Sequence, residues 1–148
     1  MVNRIQLIRE FASEIARTRV VISSRRDDWG MSLSDLYKGI PRLILPRNLN
    51  QNDEGDKAFR KFFISCYPSA QGFSNVTISL LHEMGHWFHP QEYLESDPDE
   101  YAQATGWWHF TLPCEMVATN WAIAWLQDPE NRKKAKAFER EFFKYGKR

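Results

Sequence analysis

The stretch SLLHEMGHWFHP, residues 79–90, holds three of the chain's four histidines. His82 and His86 stand four apart, and on a helix that spacing puts both rings on one face, where they can aim at one point. Two neutral imidazoles then make two corners of a tetrahedral zinc site. Glu83 flanks that point and can serve as general base toward a metal-bound water. The pattern is H-E-x-x-H, written here His82-Glu83-Met84-Gly85-His86. Its apolar lead-in, NVTISLL (75–81), places the motif on a buried helix rather than in a loop. Gly85 in such a helix costs about 1 kcal/mol relative to Ala. A close approach by another backbone, a ligand or the metal is one reason for its presence. The plainer reading is a core helix whose histidines are satisfied by neighbours.

A catalytic zinc takes three protein ligands and leaves a fourth position for water. His89 follows on the same helix, but three ligands from one straight helix strain the geometry. The longer pattern H-E-x-x-H-x-x-G-x-x-H is not met, since position 89 is His and position 92 is Glu. Downstream, in LPCEMVATNWAIAWLQD (112–128), Glu115, Ala118, Ala122 and Trp125 share one helical face. A lone carboxylate on a small, apolar stripe needs a partner, because a buried unpaired charge is costly, and zinc would supply one. A surface Glu favoured by the helix dipole is the plainer reading, and Cys114 is a rival soft ligand. The residues alone leave the choice between Glu115 and Cys114 open.

HEMGHWFH followed by EMVATNWAIAWL resembles the zinc-peptidase core of the ImmA/IrrE family, small gluzincins of phages, mobile elements and bacterial stress regulation. The likeness covers roughly residues 75–126. It implies a minimal zincin-like domain, in which a small mixed β-sheet packs on an active-site helix and a downstream ligand helix. It also implies Zn2+ held by His82, His86 and Glu115, with Glu83 as catalytic base. The family's later pattern, close to E-x-x-A-x-x-F-A, is matched by Glu115, Ala118, Trp121 and Ala122. The implied activity is a zinc-dependent endopeptidase with a narrow protein or peptide substrate, such as a repressor or other regulator. The sequence departs at Thr119, where the family often has Asn; Asn120 comes one residue later. The family's later histidine usually falls one position beyond His89. The first 70 residues carry no such likeness and no helix-turn-helix signature.

Hydrolysis also needs a donor for the oxyanion, and Tyr101 and His109, between the two ligand helices, are the candidates. An extended peptide would pair with an exposed strand edge, and RLILP (42–46) or FFISCY (62–67) is the expected strand. The alternative function is a non-catalytic interaction or inhibitor protein of phage or mobile-element type, with zinc as a structural element. Closure of the fourth position by His89, His109 or Cys114 would favour that alternative. Glu83, which a purely structural site does not need, favours the enzyme.

Around this site the chain reads as a single α+β domain over residues 1–148. Ile5, Ile8, Phe11, Ala12 and Ile15 recur at helical spacing over about 3–17. RVVIS (19–23) and RLILP read as strands, with a helical turn over 32–38 capped by Ser32 or Ser34. Residues 47–56 read as a polar loop, and KAFRKFFISCY (57–67) is ambiguous between strand and helix. A loop follows at 68–75, and Ser74 or Asn75 caps the motif helix, which runs to His89 before Pro90. Residues 91–111 show no clear period. Pro113 suits the first turn of a helix through Leu126, and Asp128-Pro129 opens a last helix to about Tyr145.

Hydrophobic residues make up 43% and aromatics 14%, enough for a real core. A net charge of +1 gives no global pull toward nucleic acid or an anionic membrane. No apolar run approaches the ~18 residues of a spanning helix, and the N-terminus lacks the uninterrupted apolar segment of a signal peptide. Cys66 and Cys114 form no C-x-x-C pair, so a reducing cytoplasm is the expected setting. QEYLESDPDEY (91–101) holds five acids and no base and reads as a solvated loop, with substrate selection or gating as the alternative. The tail from Arg132 to Arg148 holds eight Lys or Arg and two Glu, and reads as a packed helix with a basic outer face rather than a phosphate-binding arm. Trp107, Trp108, Trp121 and Trp125 read as core, with Trp107-Trp108 as alternative cleft lining.

Overall fold

In the computed structural model, which describes residues 3–26, 28–47, 49 and 54–146, helices carry most of the chain and three short strands form one mixed sheet. Asn3 caps α1 (Arg4–Ala16) by accepting from the Gln6 amide, and Ile8, Phe11 and Ala12 turn its apolar stripe into the core. The strand expected at 19–23 forms as β1 (Val21–Arg26). Next comes β2 (Gly30–Met31), only two residues long, which no periodicity announces. Ser32 caps the short α2 (Leu33–Tyr37). The strand β3 (Arg42–Pro46) lies where expected and buries Leu43 and Leu45 on one face.

The strand order is β1-β3-β2, with β1 parallel and β2 antiparallel to β3. RLILP is therefore the central strand, bonded on both sides, and offers no edge to a peptide. The second expected edge fails too, because FFISCY lies mostly in α3 (Glu54–Cys66), which is helical. Phe59, Phe62, Phe63 and Cys66 recur at helical spacing, and the aromatic content that imitates a strand is a stripe laid on neighbouring helices. This helix begins inside the expected 47–56 loop; the part of that loop at 48 and 50–53 lies outside the described residues. The sheet edge on the motif side is β2. Ser32 N donates to Arg42 O, so the neighbouring Met31 carbonyl points outward, and the Tyr93 hydroxyl donates to it at 3.4 Å.

A 3-10 turn (Pro68–Gly72) leads to α4 (Asn75–Phe88), capped by Ser74 as expected. Every residue of α4 from Val76 to His86 is buried, so the motif helix has protein on all sides. The segment without clear period breaks into three short helices, α5 (Pro90–Leu94), α6 (Pro98–Gln103) and α7 (Gly106–Phe110). Two long helices close the chain, α8 (Pro113–Gln127) and α9 (Pro129–Gly146). The acidic stretch is thus mostly helical rather than a loop, with Asp97 capping α6 through the amides of Asp99 and Glu100.

The core joins Ile8 and Phe11 of α1, Phe63 of α3, Ile78, Leu81 and Met84 of α4, Leu126 of α8, and Phe138 and Phe142 of α9. Burial of Ala135, Phe138 and Phe142 makes α9 the packed amphipathic helix its sequence suggests. Its Glu139 reaches the start of α4 and accepts from Ser74 N and from Thr77 Oγ1, where a helix N-terminus favours negative charge. Trp121 and Trp125 pack against the core, but Trp107 and Trp108 are 53% and 51% exposed and are not core residues. The five-residue α7 is too short to bury more than one face, and that face carries Phe110 against Phe59 and Phe62. Among the described residues, no helix is long and apolar enough to cross a membrane.

Candidate metal centre

Helices α4 and α8 cross where Gly85 meets Ala118. A Cβ on Gly85 would lie 2.5 Å from the Ala118 carbonyl oxygen and 2.7 Å from its Cα. The glycine is there for another backbone, and the fully buried Ala118 matches it from the other side. This close approach brings Glu115, one turn before Ala118, over His82 and His86.

His82, Glu83 and His86 form a buried group whose ligand atoms all lie within 4.8 Å of one another, an arrangement that can hold a metal ion. The Glu115 carboxylate faces them. Its Oε1 lies 3.1 Å from His82 Nε2 and its Oε2 lies 3.1 Å from His86 Nε2. With metal–nitrogen bonds of about 2.0–2.1 Å, the edge of a zinc tetrahedron is about 3.3–3.4 Å. The observed separations therefore fit a shared ion with a shift of a few tenths of an ångström. Charge points the same way. Glu83 and Glu115 are both buried, and the described ion pairs of Glu115 run to histidines alone. A divalent cation would balance both carboxylates, a task that without it falls to the histidines around Glu115.

His82 Nδ1 lies 3.0 Å from the Thr119 hydroxyl, one turn beyond Glu115 on α8. With a metal on Nε2, the remaining ring proton would sit on Nδ1 and donate to that oxygen. Thr119 makes this contact with its hydroxyl. His86 Nδ1 is buried with no hydrogen-bond partner among the described residues. Its ring is held by stacking on Tyr93, with centroids 4.2 Å apart and planes 28° apart. Tyr93 sits in the segment without period, and nothing in its sequence surroundings marks it.

Cys114 is buried, and its thiol lies 3.6 Å from Glu115 Oε2. Burial, with the Glu115 charge beside it, pushes that thiol up to about 12. The geometry therefore separates the two rivals, since Glu115 meets both histidines while Cys114 donates to Glu115. His109, on α7, also enters the group, with Nε2 3.5 Å from Glu115 Oε1. Tyr101 packs its ring 5.0 Å from that of His109 and 6.1 Å from that of Tyr93. His89 ends α4 and is exposed.

Protonation follows from this packing. Burial raises the pKa of Glu83, only partly opposed by His82 and His86. Burial acts the same way on Glu115, but hydrogen bonds from His109, His82 and His86 together outweigh it and hold this carboxyl well below its usual range. For His86, burial opposes protonation, yet the hydrogen bond and charge of Glu115 prevail and raise its pKa. His109 is raised chiefly by its hydrogen bond to Glu115. Burial, reinforced by the Glu115 charge, keeps the Tyr101 phenol protonated far above neutral pH. The two carboxylates are thus pushed in opposite directions by their surroundings.

Compared with known families, curated proteins and solved structures, the chain shows no match.

Proposed function

We propose that the chain is a zinc-dependent endopeptidase with a zincin-like core of the ImmA/IrrE type, acting on a specific protein substrate. The observation that carries this reading is the convergence of His82 Nε2 and His86 Nε2, each 3.1 Å from the Glu115 carboxylate, with Glu83 buried beside them. In it, His82, His86 and Glu115 hold the ion. Zinc held there would supply the Lewis acid that activates water and polarises the scissile carbonyl. Glu83 accepts the water's proton on its carboxylate and returns it to the leaving amine, a role suited to a carboxylate whose pKa burial has raised. Tyr101, with its phenol protonated, donates to the oxyanion, and His109 lies beside it. Thr119 keeps His82 in the tautomer that offers Nε2.

The second reading, an interaction protein with structural zinc, is favoured by one contact, the approach of His109 to within 3.5 Å of Glu115. A structural site fills its fourth position, and a catalytic one keeps it open to water.

Zinc content and affinity of the wild type beside Glu115→Ala, Cys114→Ala and Glu83→Gln test the proposal. Near-stoichiometric zinc that is lost in Glu115→Ala and retained in Cys114→Ala and Glu83→Gln is the expected result. A wild type that neither carries nor binds zinc would sink it. Cleavage of a protein substrate that stops with Glu83→Gln while zinc stays bound separates the enzyme from the interaction protein.

A further inference from the structure

Three imidazoles, not two, converge on the Glu115 carboxylate. His82 Nε2 and His109 Nε2 lie 3.1 and 3.5 Å from Oε1, and His86 Nε2 lies 3.1 Å from Oε2. The two separations from Oε1, 3.1 Å to His82 and 3.5 Å to His109, straddle the edge of about 3.3–3.4 Å expected between nitrogen and oxygen donors around a tetrahedral zinc, while His86 meets the other oxygen. His109 arrives on α7, a different element from both ligand helices, so its presence is no by-product of the motif's spacing. We infer that His109 is a fourth protein donor to the metal held by His82, His86 and Glu115, which closes the centre at rest, and that any ligand reaching the metal must displace this one imidazole. The inference rests on the metal-binding reading above and adds a control to that same site.

His109 is the donor placed to yield. Its side chain is 27% exposed, against 6% for His82 and 2% for His86, and its contact with the carboxylate is the longest of the three. The two motif histidines are fixed on a helix with protein on all sides. His109 instead rides on a five-residue helix entered through Gly106 at φ 56, beside the exposed Trp107 and Trp108. Loss of the fourth donor leaves two histidines and a glutamate with an open position, the arrangement that metal-assisted hydrolysis requires. A retained base at Glu83 and a filled fourth position then belong to one device, a hydrolytic centre that stays shut until something competes for the metal. The same imidazole, once displaced, remains next to Tyr101 as a second donor.

Cobalt(II) loaded alone into the full chain reports on this through its visible spectrum, with azide as the competing small ligand. The wild type is compared with His109→Ala, His109→Gln and, as control, His89→Ala. Wild type and His89→Ala should bind cobalt equally and show bands that azide does not shift. Both His109 variants should bind cobalt about tenfold or more weakly, and their bands should shift with azide. The Gln variant keeps the side-chain bulk, so agreement between the two variants excludes a packing effect. The inference is overturned if azide shifts the wild-type bands as it does the variants', or if the variants hold cobalt at wild-type affinity. A wild type that binds neither cobalt nor zinc is a different outcome, which removes the metal reading itself.

Discussion

At the scale of single residues, the centre depends on side chains that touch the ligand groups rather than on the motif letters alone. Thr119 is the clearest case, since its hydroxyl is the partner of His82 Nδ1 at 3.0 Å. Replacing it by Val keeps the shape and removes the acceptor. Zinc affinity should fall about 10- to 100-fold, measured by competition with a chromophoric chelator, while Thr119→Ser stays near wild type. An unchanged affinity in the Val variant would show that the ring is oriented by packing instead, as His86 is by Tyr93. The H-E-x-x-H pattern named His82, Glu83 and His86 outright, because their relation is local to one helix. It could say nothing of Tyr93, whose ring reaches His86 through the path of a different helix. The choice between Glu115 and Cys114 was equally out of reach, because both are buried, adjacent helical positions differ by about 100° in direction, and only the partner helix decides which of them meets the histidines.

At the scale of elements, the crossing of α4 over α8 sets the distance from Glu115 to the histidines. Gly85→Ala tests it. Alanine gains about 1 kcal/mol in helix propensity, but its methyl group would lie 2.5 Å from a backbone oxygen of Ala118 that cannot rotate away. Overpacking of this kind costs about 1–3 kcal/mol, so the clash should win. Urea unfolding of the metal-free variant should show lower stability, and zinc binding should weaken because α8 carries Glu115. A variant more stable than wild type with full zinc affinity would mean that the helices separate freely. The helices α1, α4, α8 and α9 were legible from periodicity, caps and prolines, each a property of nearby residues. The helix α3 was ambiguous and β2 invisible, because a short apolar run takes its conformation from what it packs against and a two-residue strand exists only through its partner.

At the scale of the whole molecule, the buried centre ties stability to pH and to metal. In the metal-free protein, His86 and His109 are raised above their ordinary 6.5. Their contribution is full below that value and is lost as pH rises through the raised pKa values. Glu115 is depressed below 4.5, so its contribution holds above that value and fades as pH falls through the depressed one. Glu83 is raised above 4.5, and keeping its buried carboxylate ionised costs stability as pH rises. The metal-free fold should therefore be most stable near pH 4.5 and weaken as pH rises, first through the raised value of Glu83 and then through those of His86 and His109. Zinc held as proposed would compete with protons for the same imidazoles, so loading should release protons and bind more tightly as pH rises. Thermal unfolding with and without excess zinc, run from about pH 5.5 to pH 8, should show a gap that widens with pH. A gap that stays constant or narrows would count against histidine ligation.

By itself, the sequence determined the local parts of this protein: a buried helix bearing two histidines and a glutamate on adjoining faces, a second helix bearing a carboxylate among small residues, and their order in the chain. Those follow from the geometry of one helix turn and need no distant contact. Only the tertiary structure decided the rest. It placed RLILP in the middle of the sheet, closed its outer edge with Tyr93, and set Glu115 over both histidines. It also brought His109 in from a segment with no period of its own. The reason is that a cluster of side chains drawn from three helices is fixed by where those helices cross, and a crossing is chosen by complementary surfaces such as Gly85 and Ala118, which belong to neither segment alone.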